Sequence, residues 1–164
     1  VELDGRARSH LVRANDNFEY AWRVMMADEP TQADLLWATV AAFYSAVHVV
    51  GGYLWTDGGR AFLTHQARMR AMRDCAVLSM VIPEYSTLQD ESEQARYHPE
   101  YIATPASLGY LIESPLREVR KVALTRLAHD GYSLPGFSED FRRLVAERRR
   151  ESRRGRVLWP WQRR

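Results

Sequence analysis

Apolar residues recur along the chain with helical spacing and nowhere with the alternation of a strand. Ala7, Leu11, Ala14, Phe18, Ala21 and Met25 follow one another at steps of three and four. That stripe predicts an amphipathic helix over 6–27, widened by Trp22 and stopped before Pro30. Thr31, with Asp34 three residues on, forms a capping pair for a second helix over 32–55. This segment is apolar on nearly every face (Leu35, Leu36, Trp37, Val40, Phe43, Tyr44, Val47, Val50, Leu54), which predicts a central helix with Trp37, Phe43, Val47 and Leu54 buried. Ala38, Ala41, Ala42, Gly51 and Gly52 leave room for a close neighbour, and Thr56-Asp57-Gly58-Gly59 predicts a tight turn.

Thr64 predicts the cap of a third helix from His65, with Met69, Met72, Ala76 and Met80 inward. A fourth helix is expected over 83–97, opened by Pro83 and faced by Tyr85, Leu88, Ser92 and Ala95. Between His98 and Ser114 the periodicity fails, and Pro99, Thr104, Pro105, Ser107 and Gly109 predict a long loop. Ser114-Pro115 reads as a cap and first turn for a fifth helix, with Leu116, Val119, Ala123 and Leu127 inward and Gly131 at its end. Ser138 predicts the cap of a last helix ending at Gly155. The expected fold is therefore all-α, an antiparallel four-helix-type bundle over 1–135 with a C-terminal basic helix and arm over 136–164.

Composition sharpens this picture in three places. Apolar residues are 46% of 164, which excludes a disordered chain. The most apolar stretch, 38–54, is interrupted by Thr39, Tyr44, Ser45 and His48, and the first residues mix acids and arginines, so neither a membrane span nor a signal peptide is expected. Cys75 is the single cysteine, so no internal disulfide is expected, and neither are a structural metal and a cofactor. These readings together suggest a cytoplasmic protein. Charge is unevenly spread. Residues 142–164 hold ten Arg and two acids, net +8, while the remainder carries 13 basic and 19 acidic residues, net −6. Such an arm is suited to RNA or an acidic partner, or to folding back on the acidic body with Trp159 and Trp161 as anchors.

Four segments in order carry a family likeness. Trp37-Ala38-Thr39-Val40-Ala41-Ala42-Phe43-Tyr44 followed by His48 comes first, then a Gly-rich turn and Thr64-His65-x-x-Arg68. Tyr85-x-x-Leu88 and Ser92-x-x-Ala95-Arg96-Tyr97 complete the series. The series resembles the HEPN family over residues 11–97. The resemblance implies an antiparallel helical bundle, a homodimer, and an RNA-associated role. Many such proteins are metal-independent ribonucleases of toxin–antitoxin or defence systems, and others bind RNA, a nucleotide or a partner protein without catalysis. Catalytic members carry Arg-x(4–6)-His at the dimer interface, where arginine stabilises phosphate and histidine moves protons. Here that spacing occurs as Arg60 to His65, at the start of the third helix, whereas catalytic relatives carry it near the last bundle helix.

The candidate catalytic residues are accordingly His65, Arg60 and Arg96, with Arg68, Tyr97, His48 and His98 as candidate binding residues. Expected partners are a second copy, RNA, and an antitoxin-like or other protein. The alternatives are a non-catalytic HEPN module and a structural subunit of a larger assembly. His48 on an apolar helix also fits a hydrogen-bonded core residue, and Arg96 fits a simple complement to its helix dipole.

Overall fold

The computed structural model describes residues 1–59 and 64–153. Among these the chain is helical with no strand: α1 (Gly5–Met26), α2 (Gln32–Gly58), α3 (His65–Asp74), a 3₁₀ turn (Leu78–Val81), α4 (Ile82–Tyr97), α5 (Pro105–Leu111), a π-helical segment (Ile112–Leu116), α6 (Arg117–His129) and α7 (Glu139–Arg153). The all-α bundle expected from the sequence is what forms.

α2 is its axis, packed by α1 along its length and by α4 and α6. Its start is the reciprocal cap read from sequence: Asp34 N–H donates to Thr31 Oγ1 (3.2 Å) and Thr31 N–H to Asp34 Oδ2 (3.0 Å). It runs past the expected turn through Thr56 and Asp57, and Gly59 ends it at φ 63°, a left-handed conformation that glycine adopts without strain. Phe43, Val47 and Leu54 are buried. Full burial of a side chain like Phe43 contributes about 1.5–3 kcal/mol. Trp37, expected in the core, is instead 62% exposed. It stands near the start of α2, where a pattern apolar on every side does not say which side a neighbour covers. α2 is long and apolar enough to cross a membrane, and 72% of its most apolar window is buried inside the bundle.

α1 lies unusually close to α2. A Cβ on Gly52 would stand 2.8 Å from Leu11 Cδ2 and 3.3 Å from the Ala7 carbonyl. The small residues of α2 thus do what their spacing suggested.

Three expectations fail downstream. α3 stops at Asp74, so Ala76 and Met80 do not continue its inner face. Met80 is 63% exposed, and Leu78 and Val81 of the 3₁₀ turn fill the core instead. The loop expected over 98–114 contains α5, opened by Thr104 and Ser107 as a capping pair with Pro105 in the first turn. Ser114-Pro115 is no helix start. Pro115 lies within the π segment that joins α5 to α6 without a break. A π turn tolerates the missing N–H because its hydrogen-bonding pattern is already displaced. Gly131 follows α6 at φ 83°, as expected of a helix end.

Ser138 caps α7, its Oγ accepting from Phe141 N–H at 3.2 Å. Glu19 of α1 holds the cap, accepting from Ser138 N–H (2.7 Å) and Oγ–H (2.6 Å). Phe141 then meets Trp22 edge-on, ring centres 5.2 Å apart. The expected end of this helix at Gly155 and the tryptophans of the arm lie outside the described residues.

Candidate functional site

Three of the four segments that carried the family likeness meet at Phe43. Its ring is 5.2 Å from that of His65, 5.4 Å from Tyr85 and 5.8 Å from Tyr44. Thr64 Oγ1 accepts from Ala67 N–H (3.1 Å), which fixes the start of α3 and places His65 and Arg68 one turn apart on one face. Arg68 is buried, and its terminal nitrogen lies 3.2 Å from His65 Nδ1 and 3.5 Å from the Tyr85 hydroxyl. A guanidinium only donates, so His65 accepts at Nδ1 and, when neutral, carries its proton on Nε2. Burial lowers the pKa of His65, and Arg68 and Arg96 lower it further against a small opposing pull from Glu93. Burial raises that of Tyr85.

A histidine pair stands beside this group. His10 of α1 and His48 of α2 face each other with their Nδ1 atoms 3.0 Å apart. One ring must donate and the other accept, so the contact does not survive protonation of both. Gly51 makes the approach possible, since a Cβ there would sit 3.0 Å from His10 Nδ1. Burial first, then His10, Arg13 and Arg68, push His48 down to about 4. His10 is lowered by burial, Arg68 and Arg13. At neutral pH all three imidazoles are therefore uncharged, and the positive charge belongs to Arg13, Arg68 and Arg96.

Arg96, at the end of α4, donates from Nε to the Ser92 carbonyl (3.0 Å), and its guanidinium lies 5.0 Å over the Tyr97 ring. Below it the Ser92 hydroxyl is buried without a hydrogen-bond partner. Leu36, Val40 and the exposed Trp37 line a hollow of about 170 Å³ with Ala95 and Arg96. Of the candidates from sequence, His48, His65, Arg68 and Arg96 thus share one neighbourhood. Tyr97 joins it only through Arg96, and His98 turns to Glu100, 3.3 Å away. Arg60 lies outside the described residues.

Sequence reasoning missed His10 and Arg13. Gly51-Gly52 announced a close neighbour without saying which residues of α1 it would be.

No family model, curated protein or solved structure matches this chain.

The chemistry is therefore read from the arrangement alone. Neutral imidazole N–H groups and guanidinium ions are donors with a positive field, which suits an oxyanion such as a phosphodiester. Among the described residues no three of His, Cys, Asp and Glu stand together as metal ligands would.

A second polar group, centred on Arg120 of α6, has a different character. Arg120 is 7% exposed and donates to the Ala14 carbonyl (3.2 Å), Ser45 Oγ (3.1 Å) and Asn15 Oδ1 (2.8 Å). Phe18 and Phe137 lie 4.8 and 5.3 Å from the guanidinium carbon. Burial lowers its pKa to about 10, which leaves it charged at neutral pH. Asn15 Nδ2 also donates to the Pro135 and Gly136 carbonyls (3.0 and 3.1 Å). The group ties α1, α2, α6 and the approach to α7 together.

Proposed function

We propose that this chain is a cytoplasmic, RNA-associated module of the HEPN type, that it acts as a homodimer, and that the His10–His48–His65–Arg68–Arg96 neighbourhood receives an RNA phosphate. The observation that carries the reading is the meeting around Phe43 of three segments that resemble the family's motifs, with Arg96 of the fourth close enough to act on His65, arginines supplying the charge and, among the described residues, no metal-type ligand group beside them. The exposed Trp37 next to Arg96 supports a partner surface, because a large apolar side chain at that exposure loses area to water that a second copy would cover.

The geometry favours binding over catalysis. His65 spends its Nδ1 lone pair on Arg68, so its Nε2 is a donor rather than a base. His48, at about 4, lies too far below neutrality to be an efficient acid or base. A metal-independent ribonuclease is the second reading, favoured by one observation: Arg96 is close enough to shift the titration of His65, which places a phosphate-type cation beside a titrating group. One experiment addresses both. The full chain is mixed with single-stranded RNA in EDTA, and binding and cleavage are followed for wild type, His65→Ala and Arg96→Ala. Saturable binding without cleavage, weakened about tenfold by Arg96→Ala, is expected. Cleavage in EDTA that His65→Ala abolishes would establish the ribonuclease reading instead, and absence of any binding would sink both.

A further inference from the structure

The basic C-terminal segment was left unassigned by the site just described, and its described part, α7, borders a wide cleft. The cleft holds about 610 Å³ and lies between α1, the π segment and α7, with Phe18, Trp22, Phe137 and Phe141 in its wall. A hollow of about 340 Å³ shares Phe18, Glu113 and Phe137 with it and adds Arg117, Arg120 and Lys121.

Across the cleft α7 presents Arg142, Val145, Ala146, Arg149 and Arg150, the i, i+3, i+4, i+7, i+8 stripe of one helix face. Arg142 and Arg149 are about 10 Å apart along the axis. Of the four acids of α7, Glu139 pairs with Arg143 and Glu151 with Arg148 at 3.7 Å, and Asp140 and Glu147 do not line the cleft. Among the described residues Arg142, Arg149 and Arg150 have no carboxylate ion pair. Glu113 is the one acidic residue lining either hollow. Beneath them Arg120 adds a buried positive charge whose hydrogen-bond partners are all neutral. An unbalanced row of guanidinium groups over an aromatic and aliphatic floor asks for a ligand that combines repeated negative charge with flat apolar faces. A single-stranded nucleic acid does so within one repeating unit, whereas a duplex hides its base faces.

We propose that the cleft between α1, the π segment and α7 is a track for single-stranded RNA, with phosphates on Arg142, Arg149 and Arg150 and bases against Phe137 and Val145. The proposal rests on the RNA association proposed above, though not on the histidine neighbourhood.

The test uses the full chain and a labelled single-stranded RNA of about 12 nucleotides, enough to exceed one binding unit. Arg142→Glu/Arg149→Glu is compared with Arg8→Glu/Arg143→Glu, which changes the net charge equally at exposed positions outside the cleft. The cleft pair is expected to weaken binding about tenfold or more and to flatten the log–log salt slope by about 1.4, the share of two phosphate contacts on a single strand. The control pair should weaken it only slightly. An abasic strand of equal length should bind several-fold more weakly than the normal strand. Equal weakening by the two pairs, an unchanged salt slope for the cleft pair, or equal affinity for the abasic strand overturns the proposal. If His65→Ala and Arg96→Ala leave RNA binding intact while the cleft pair abolishes it, the track stands and the histidine neighbourhood loses its role. A wild-type chain with no RNA affinity at about 50 mM salt removes both.

Discussion

Two arginines of this bundle are buried to nearly the same degree and serve different ends. Arg120 is surrounded by neutral acceptors that are themselves fixed in the backbone or in short side chains, and nothing beside it titrates near neutrality. Arg68 bonds to a histidine and a tyrosine, and its field reaches two further histidines. A buried cation among fixed acceptors works as a clasp, because all its neighbours depend on it and none responds to solution conditions. A buried cation among partly exposed histidines is suited to a site, because those rings can change state with pH and with ligand. Burial alone does not separate the two cases.

The comparison is broken most directly at Arg120. Arg120→Ala strands Asn15 Oδ1, leaves the Ala14 carbonyl and Ser45 only their bond to each other at this site, and vacates the space between Phe18 and Phe137. A loss of about 3 kcal/mol in urea unfolding is expected, from one unmet acceptor, weakened bonds to two others and a partly collapsed cavity. Arg120→Lys keeps the charge without the fork and should lose about 2 kcal/mol. A cost below about 1 kcal/mol for the alanine variant would show that the clasp is not what holds α1, α2 and α6 together.

Gly52→Ala should come next. Its new methyl meets Leu11 at 2.8 Å and the Ala7 carbonyl at 3.3 Å, so α1 must move away from α2. Overpacking of this kind costs about 1–3 kcal/mol. Gly51→Ala one residue earlier meets only the His10 ring, which can swing aside. It should cost less and should disturb the His10–His48 contact instead. Equal unfolding midpoints for the two variants would contradict this division.

What the sequence disclosed, and what it hid, follow the same physics. The caps at Thr31, Thr64 and Ser138 were legible because each satisfies local N–H groups through a side chain a few residues away. A close neighbour for α2 was legible in its run of small residues, though not that the neighbour is α1. α5 was hidden although Thr104-Pro105 carries the same cap-and-proline signal as Ser114-Pro115. Ser114-Pro115 reads as the helix start because a proline in a π turn looks in sequence like a proline in a first turn. His65, Arg68 and Arg96 stood out through their pattern. His10 and Arg120 did not, since their partners are 38 and 75–106 residues away and no local spacing encodes such contacts.

The histidine pair sharpens the comparison through pH. His10 and His48 bind protons less readily in the fold than at their ordinary 6.5, and His48 falls to about 4. Between those values the unfolded chain takes up more protons than the folded one. The stability these rings leave intact is complete above about pH 6.5 and is lost as pH falls towards 4. Melting temperature should decline over that window. Carboxylates elsewhere contribute near its lower end, so the informative quantity is the difference from a His10→Gln/His48→Gln variant, whose decline between pH 6.5 and 5 should be shallower. Parallel curves would mean that the pair does not titrate with folding.

The smallest expected effect on stability is at Trp37, and it separates a surface side chain from a partner contact. Truncating a side chain that is 62% exposed removes little buried area within one chain. Trp37→Ala should therefore change the unfolding free energy of dilute protein by no more than about 0.5 kcal/mol. If a second copy covers this residue, the same substitution removes a tryptophan from an interface, where such anchors often contribute about 2 kcal/mol or more. The dimer dissociation constant should then rise by about thirtyfold, since each ~1.4 kcal/mol is a factor of ten. Sedimentation of wild type and variant across a concentration series reads both quantities. An unchanged dimer with unchanged stability would place the partner surface away from Trp37, and the hollow beside Arg96 would then be open to ligand in the assembled protein. A large loss of stability in dilute monomer would mean instead that Trp37 props the end of α4, and that its exposure belongs to the packing of Ala95 and Arg96 rather than to any partner.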